Sequence, residues 1–558
     1  MLWTLKPHLV SFLGMKKSLK KLSEEAGIPF ELLEPRGHDS AKIPLSLLES
    51  NSKKKRGKLI LVTAMSPTPA GEGKTTTAIG LNDGLRLIGE SSLACLRQPS
   101  LGPVFGQKGG ATGGGKSQLT PGEDINLGFN GDFSAIESAN NLLAALIDNH
   151  IFQGNPLQID PNSITWRRVL DMNDRALRSI VTGLGKSNGG ARETGFDITA
   201  ASEIMAILCL AESFEDLKNR LDRIVIGYSF SGKPVTASDL GATGAMTALL
   251  RHAIKPNLVQ SLEGNPVLVH GGPFANIAHG CSSVIATKMA LAHSDYVVTE
   301  CGFGADLGAE KFLHIKCRQA GLWPDAAVCV ATVRALKYHG GVKVPDLNQE
   351  NTGKLEPGLS NLKRHVENLK AFGLPVTISV NRFPSDTDKE LALLKKHAAS
   401  WGVSVVISNP FGEGGKGCEE LARAVKTTLE TIKASSPRPL YDQGMKLADK
   451  IRLVATTLYG ATEVGLSVSA KKNLELWESL GYGGLPICVA KTQYSFSSDS
   501  KKLGAPTDHV LEVQSVKLSA GAGFVVMVCG EIMLMPGLPK RPASHDINCS
   551  SSGIVTGL

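Results

Sequence analysis

The run Gly71-Glu72-Gly73-Lys74-Thr75 sets small residues, an ammonium and a hydroxyl in the order that a phosphate group requires. Small residues let backbone N–H groups converge on phosphate oxygens, a lysine reaches the outer phosphates, and a hydroxyl takes Mg²⁺. The apolar run 58–63 (KLILVT) reads as a strand entering this loop, and Ala78, Leu81, Leu85 and Ile88 share one face of a helix leaving it. The usual pattern begins with a Gly six residues before the lysine, where this chain has Thr68, so the loop is a variant. An ordinary Gly-rich turn with an exposed lysine is the competing reading. The position between strand and helix favours a nucleotide site, with Thr68, Pro69, Ala70, Gly71, Glu72, Gly73, Lys74 and Thr75 as its ATP-binding loop and Thr75 as its Mg²⁺ ligand.

The next apolar run, 91–96, ends in Arg97. In a right-handed βαβ unit both strands aim their carboxyl ends at one crevice, so Arg97 is expected near Lys74, where a guanidinium can clamp a carboxylate or acyl phosphate. An arginine capping a surface turn fits the strand end equally well. A stretch rich in glycine follows from Gly102 to Gly115, unsuited to a helix or strand interior. It reads either as a solvent loop or, because Glu123, Asp124 and Asp132 follow at once, as backbone wrapped closely around a ligand. His270 and His279 bracket GGPFANIA on another strand end and are acid/base candidates, although such histidines more often satisfy local hydrogen bonds.

These residues need a frame. The chain has 558 residues, enough for two to four domains, and its 42% hydrophobic and 20% charged content is that of an ordinary globular protein. Further apolar runs at 266–270, 296–300, 327–333, 375–381 and 403–408 lack strict alternation, as strands buried on both faces of a parallel sheet do. The fold class is therefore α/β: a large P-loop-type parallel or mixed sheet flanked by helices, with two smaller α/β domains. Polar breaks at 346–359 and 435–444 divide the chain into residues 1–345 for nucleotide and acyl phosphate, 346–440 for a second-substrate platform, and 441–558, with strands near 486–490 and 524–529.

The net charge of +8 is a mild bias, and apart from Lys53-Lys54-Lys55-Arg56 the basic residues are dispersed, which argues against nucleic acid as a partner. Ten Cys without zinc spacing indicate a reduced compartment. No run approaches the roughly 20 apolar residues of a membrane span. MLWTLKPHLVSFLG is an ordinary N-terminal extension or a weak organellar presequence, so the location is cytoplasmic, with a mitochondrial or other organellar matrix as the alternative.

Taken in order, PTPAGEGKTTT, RQPSLGPVFG, HGGPFANIAHGCSS, GFGADLGAEKF, ATVRALKYHGG, AKTQYSFS and MPGLPKRP resemble the formate–tetrahydrofolate ligase family, in its single-function form, from about residue 58 to the C-terminus. The resemblance implies that formate attacks the γ-phosphate of MgATP to give formyl phosphate, whose formyl group passes to the 10-nitrogen of tetrahydrofolate. It implies catalytic roles for Lys74, Arg97 and Asp132, with Arg97 on the formyl phosphate and Asp132 as a polar or proton-accepting group. It implies a folate platform of Phe303, Phe383 and Phe411, the last where the family usually has Trp. A monovalent cation (K⁺ or NH₄⁺) and a homotetramer are further implications. The chain departs from the family at Lys116 (usually Tyr), Gly122 (Met), Gly128 (His), Asn130 (Thr) and Gln98 (often Glu). Either the formate pocket is reshaped and active, or the chain is a diverged paralogue that binds ATP or folate without efficient ligation; Lys74, Thr75, Arg97, Asp132, Phe303 and Phe383 favour the former.

Overall fold

The computed structural model describes residues 16–50, 56–108, 110–431 and 436–558. The N-terminal segment weighed as a presequence and Lys53 to Lys55 of the basic run lie outside the described residues.

The apolar runs assemble into one 12-stranded sheet. Its strands are β1 (Glu34–Arg36), β2 (Ser40–Lys42), β3 (Lys58–Ala64), β4 (Ser92–Leu96), β5 (Gly113–Gly114), β6 (Ser117–Thr120), β7 (Asn257–Ser261), β8 (Pro266–Val269), β9 (Tyr296–Glu300), β10 (Ala326–Ala331), β11 (Val376–Asn381) and β12 (Ser404–Ser408). The order is β1-β2-β7-β8-β4-β9-β3-β10-β11-β12, with the β5–β6 hairpin added beside β7. From β8 through β12 every pairing is parallel, while β1, β2 and β7 form an antiparallel margin.

Burial on both faces explains the continuous apolar runs. On β3, Leu59 and Leu61 point into one core while Ile60 and Val62 point into the other. Cys329 and Val330 on β10 divide in the same way. Helices α1 (Lys74–Leu87) and α2 (Asp132–Phe152) follow in the chain, then α3 (Val284–His293), α4 (Val333–His339), α5 (Thr352–Ala371) and α6 (Glu419–Thr431). Ala78, Leu81 and Leu85 of α1 join Leu421 and Val425 of α6 over one face, and Val284 of α3 with Leu355 and Leu362 of α5 cover the other. Helix α5 begins inside the polar stretch 346–359, and β10 pairs directly with β11 across it, so residues 376–408 extend the main sheet. Past residue 441, β13 (Ile487–Ala490), β14 (Ser515–Ser519) and β15 (Phe524–Val528) form a small sheet whose Ile487, Val489 and Phe524 join the main core.

Helix α1 sits unusually close to the turn after β12. A methyl group built on Gly80 would stand 2.8 Å from Pro410 Cβ and 2.9 Å from Cys418 Sγ, and one on Gly84 would stand 2.9 Å from the Cys418 carbonyl. Only glycine fits these contacts, which tie the helix carrying Lys74 to residues 410–418. Gly84→Val is expected to destabilise the protein by about 1–3 kcal/mol through overpacking, read as a lower urea midpoint with an unchanged slope.

Candidate active site

The carboxyl ends of the parallel strands share one edge, and β3 and β9 lie side by side there. The chain leaving β3 next supplies β4, to one side, whereas the chain leaving β9 next supplies β10, to the other. A crevice between such strand ends is where an open α/β sheet binds ligands.

Into this crevice runs the loop after β3. Gly71 and Gly73 adopt left-handed φ of 83° and 75°, a conformation that a side chain would strain, whereas Thr68 has no positive φ. That explains why the variant motif tolerates Thr68. The Glu72 side chain is turned inward, accepting the Thr68 N–H at Oε1 (2.7 Å) and the Thr332 hydroxyl at Oε2. Burial pushes its pKa up, against the pull of these bonds and of Lys74. Asn381, ending β11, donates to the Glu72 carbonyl at 2.9 Å and meets the Thr77 hydroxyl at 2.9 Å. The loop is thus tied to β10 and β11 before any ligand arrives.

Lys74 opens α1, and its ammonium makes no hydrogen bond or ion pair with the described residues. Burial lowers its pKa, opposed by Glu300, Cys301 and Glu72 and reinforced by Arg97. Lys74 and Arg97 are therefore brought together, as expected from the βαβ argument. Arg97 Nη1 donates to the Pro273 carbonyl at 3.1 Å, its Nε is buried without a partner among the described residues, and a Cβ on Gly302 would lie 3.4 Å from its Nη2. The Thr75 hydroxyl donates to Glu300 Oε2 at 2.9 Å. Sequence reasoning overlooked Glu300; its signal was an acidic residue ending the strand YVVTE, which pairs directly with β3.

Asp132 occupies a different setting from that of a free base. Lys42 donates to its Oδ1 at 2.6 Å, and Gln98 and Asn257 donate to its Oδ2 at 2.6 and 2.9 Å. Both charged groups are buried, and burial lowers the Lys42 pKa although Asp132 pulls it up. Asp132 thereby anchors Gln98, the neighbour of Arg97. Nearby, Asn130 takes a left-handed φ of 51° and donates to the Asn257 side chain at 2.8 Å. His270 is held between the Ser283 hydroxyl (2.6 Å) and the Ala253 carbonyl (2.7 Å), and burial depresses its pKa to about 4. His279 is buried with neither ring nitrogen partnered, and its pKa is lowered by burial, then by Lys316 and Arg97.

A cleft of about 920 Å³ opens beside the loop, with Gly73, Thr76, Phe383, Asn409 and Phe411 in its walls. Phe383 carries the Arg334 guanidinium over its ring, 4.2 Å from the centroid. Phe411 is 66% exposed. Methyl groups built on Gly114 and Gly115 would come within 3.2 and 2.7 Å of its ring atoms, and the Lys116 N–H donates to its carbonyl at 2.9 Å. Part of the glycine-rich stretch therefore packs against this aromatic. Phe303 follows β9 with a left-handed φ of 59°, rare for an aromatic residue, and does not line the cleft. Among the described residues no group of three or more His, Cys, Asp or Glu could hold a metal ion, and no helix is long and apolar enough to cross a membrane.

A protein-family profile described as formate–tetrahydrofolate ligase matches residues 11–558. Proteins named formate–tetrahydrofolate ligase from Methylibium petroleiphilum and Nocardioides sp. are 56% and 58% identical over 554 and 538 residues. These alignments cover 98% and 96% of this chain and 99% and 96% of the relatives. A relative of the same name from Paracoccus denitrificans is 58% identical over 546 residues, 98% of each chain.

The Lys42–Asp132 pair yields a stability test. Asp132→Ala strands a buried ammonium and is expected to cost about 3–5 kcal/mol, whereas Lys42→Met with Asp132→Leu recovers most of that loss. Urea denaturation of the three proteins checks this.

Proposed function

This chain belongs to the formate–tetrahydrofolate ligase family, and we propose that it makes 10-formyltetrahydrofolate in two ATP-driven steps at the carboxyl edge of the sheet. A formate oxygen attacks the γ-phosphorus of ATP, the bond to ADP breaks, and formyl phosphate forms. The 10-nitrogen of tetrahydrofolate then attacks the formyl carbon, the carbon–oxygen bond breaks, and phosphate leaves as the nitrogen loses its proton. The product serves one-carbon metabolism.

The proximity of Lys74 and Arg97, with no carboxylate among the described residues ion-paired to either, is the observation that carries this reading. Two unneutralised cations suit a transferring phosphoryl group and the acyl phosphate it becomes. The left-handed Gly71 and Gly73 let the backbone of the loop come close to phosphate oxygens, and an arriving phosphate favours the charged form of Lys74, against the effect of burial. The Thr75 hydroxyl and the Glu300 carboxylate, now bonded to each other, would be the groups to hold Mg²⁺, which would offset the charge of the nucleotide's phosphates. Among the described residues Gln98 Oε1 has no hydrogen-bond partner and Glu300 no ion pair, and K⁺ or NH₄⁺ on this edge would be held by such oxygens and would offset charge without making or breaking bonds. Asp132 acts through Gln98 in this reading.

The cleft suits the folate. Arg334 covers one side of Phe383 and leaves a stacking surface for the pterin or benzoyl ring, with Phe411 nearby. Arg382, Lys416 and Arg423, also in its walls, answer the glutamyl carboxylates. Phe303, at the strand end beyond Glu300, lies outside the walls of this cleft, and its place in the platform rests on the family resemblance alone. A homotetramer and a cytoplasmic location belong to the same proposal, resting on the family resemblance and the bacterial relatives.

The test is product formation with MgATP, K⁺, formate and tetrahydrofolate, each omitted in turn. Product is expected only when ATP, formate and tetrahydrofolate are all present, and Lys74→Ala and Arg97→Ala should each lower kcat by about 100-fold or more. ATP binding without product would instead identify a diverged binding paralogue. Phe383→Ala is expected to raise the KM for tetrahydrofolate roughly 3- to 10-fold while leaving that for ATP unchanged.

A further inference from the structure

The segment from Gly271 to Cys281, between β8 and α3, has no regular structure, yet apart from Phe274 and Asn276 it is buried. Buried irregular backbone must find hydrogen-bond partners elsewhere in the fold. Part of the supply comes from the active-site edge. The Gln98 N–H donates to the Gly271 carbonyl (2.7 Å), Arg97 to Pro273 (3.1 Å) and the Gly302 N–H to Gly280 (2.9 Å). The rest comes from lysines of residues 305–317. Lys311 Nζ donates to the carbonyls of Ala275 (2.6 Å) and Asn276 (3.3 Å), and Lys316 Nζ to the Ser282 carbonyl (2.7 Å) and the Thr287 hydroxyl (2.8 Å).

Both lysines are fully buried, and neither forms an ion pair with a described carboxylate. A buried ammonium without a counter-ion is expensive, and an apolar side chain would serve packing alone better. What Lys311 adds is a fixed position for two carbonyls. The turn it grips has little freedom: methyl groups built on Gly280 and Gly302 would each fall within 2.4 Å of Ala275. Gly302 in turn lies under the Arg97 guanidinium.

We propose that Lys311 is a positioning residue for Arg97. Its ammonium fixes the Ala275–Asn276 turn, two residues beyond the carbonyl that Arg97 grips, and so sets where the guanidinium meets the acyl phosphate. This rests on the reading of Arg97 given above. Lys311 touches no substrate; it acts through the loop, and its loss misplaces one cation while leaving the Lys74 loop, tied to β10 and β11, in place.

The experiment compares Lys311→Met, Lys311→Gln and Lys450→Met with the unaltered enzyme, varying formate and ATP separately and measuring stability in urea. Lys450 is a matched control: also buried, it holds the Gly483 and Leu485 carbonyls in the C-terminal part, away from Arg97. Lys311→Met should lower kcat/KM for formate about 10- to 100-fold with the KM for ATP unchanged. Lys311→Gln, which still donates to one carbonyl, should recover part of that loss. Should the Met variant not fold, the Gln variant alone decides, by its formate-to-ATP contrast. An equal loss for ATP and formate, or an equal formate loss in Lys450→Met, overturns the proposal, as do unchanged formate kinetics. Arg97→Ala separates the two levels. If it leaves ligation intact, the reading of Arg97 falls and takes the clamp with it; if it abolishes ligation while Lys311→Met is normal, only the clamp falls.

Discussion

Strand β9 enters the sheet between β3 and β4, so the connections leaving β3 and β9 serve opposite sides and neither fills the space between their carboxyl ends. Everything polar in the site is arranged around that gap. The phosphate loop comes from β3, Glu300 from β9, Arg97 and Gln98 from β4, Thr332 from beyond β10, and Asn381 from β11. Because these strands are buried on both faces, their register is strongly fixed, and the groups at their ends inherit that precision. A slip of one residue in β9 would exchange Val297 and Val298 between the two cores and withdraw Glu300 from Thr75.

The buried charges serve geometry more than stability. Lys42 with Asp132, and Lys491 with Asp306 (2.7 Å), are enclosed pairs, while among the described residues Lys311 and Lys316 rest on carbonyl and hydroxyl oxygens. Pairs of this kind contribute little net free energy after desolvation, yet each leaves its partners few alternative positions. They concentrate where the chain is irregular and cannot satisfy itself: the loop after β8, the turn after β13, and the helix start at Asp132. Regular strands deliver the site residues to the edge, and buried lysines hold the loops that finish it.

Much of this frame was legible in the sequence because parallel strands announce themselves as unbroken apolar runs. The runs at 58–63, 91–96 and 296–300 became adjacent strands, and the expected convergence of Lys74 with Arg97 followed from handedness alone. What could not be read was lateral order, since no local signal says that β9 lies beside β3. For that reason Glu300, Asn381 and Lys42 escaped notice: each matters through a partner at least 90 residues away. The family resemblance implied a polar or proton-accepting role for Asp132, and nothing in its sequence surroundings told that Lys42 and Asn257, from the distant margin of the sheet, would donate to its carboxylate. His270 illustrates the same limit, its two ring nitrogens being taken by groups that the sequence does not bring near.

The central position of β3 also has a temporal meaning. Its neighbours are residues 296–300 and 326–331, so the strand that carries the phosphate loop has no pairing partner until the first has left the ribosome, and none on its other edge until the second. At ordinary rates of synthesis that interval is on the order of tens of seconds. Throughout it, an apolar segment with two unpaired edges waits in the growing chain, the kind of template on which nascent proteins associate wrongly. The arrangement that makes the crevice possible thus makes the crevice late, and commits the growing chain to a long period of shelter before it can bind anything at all.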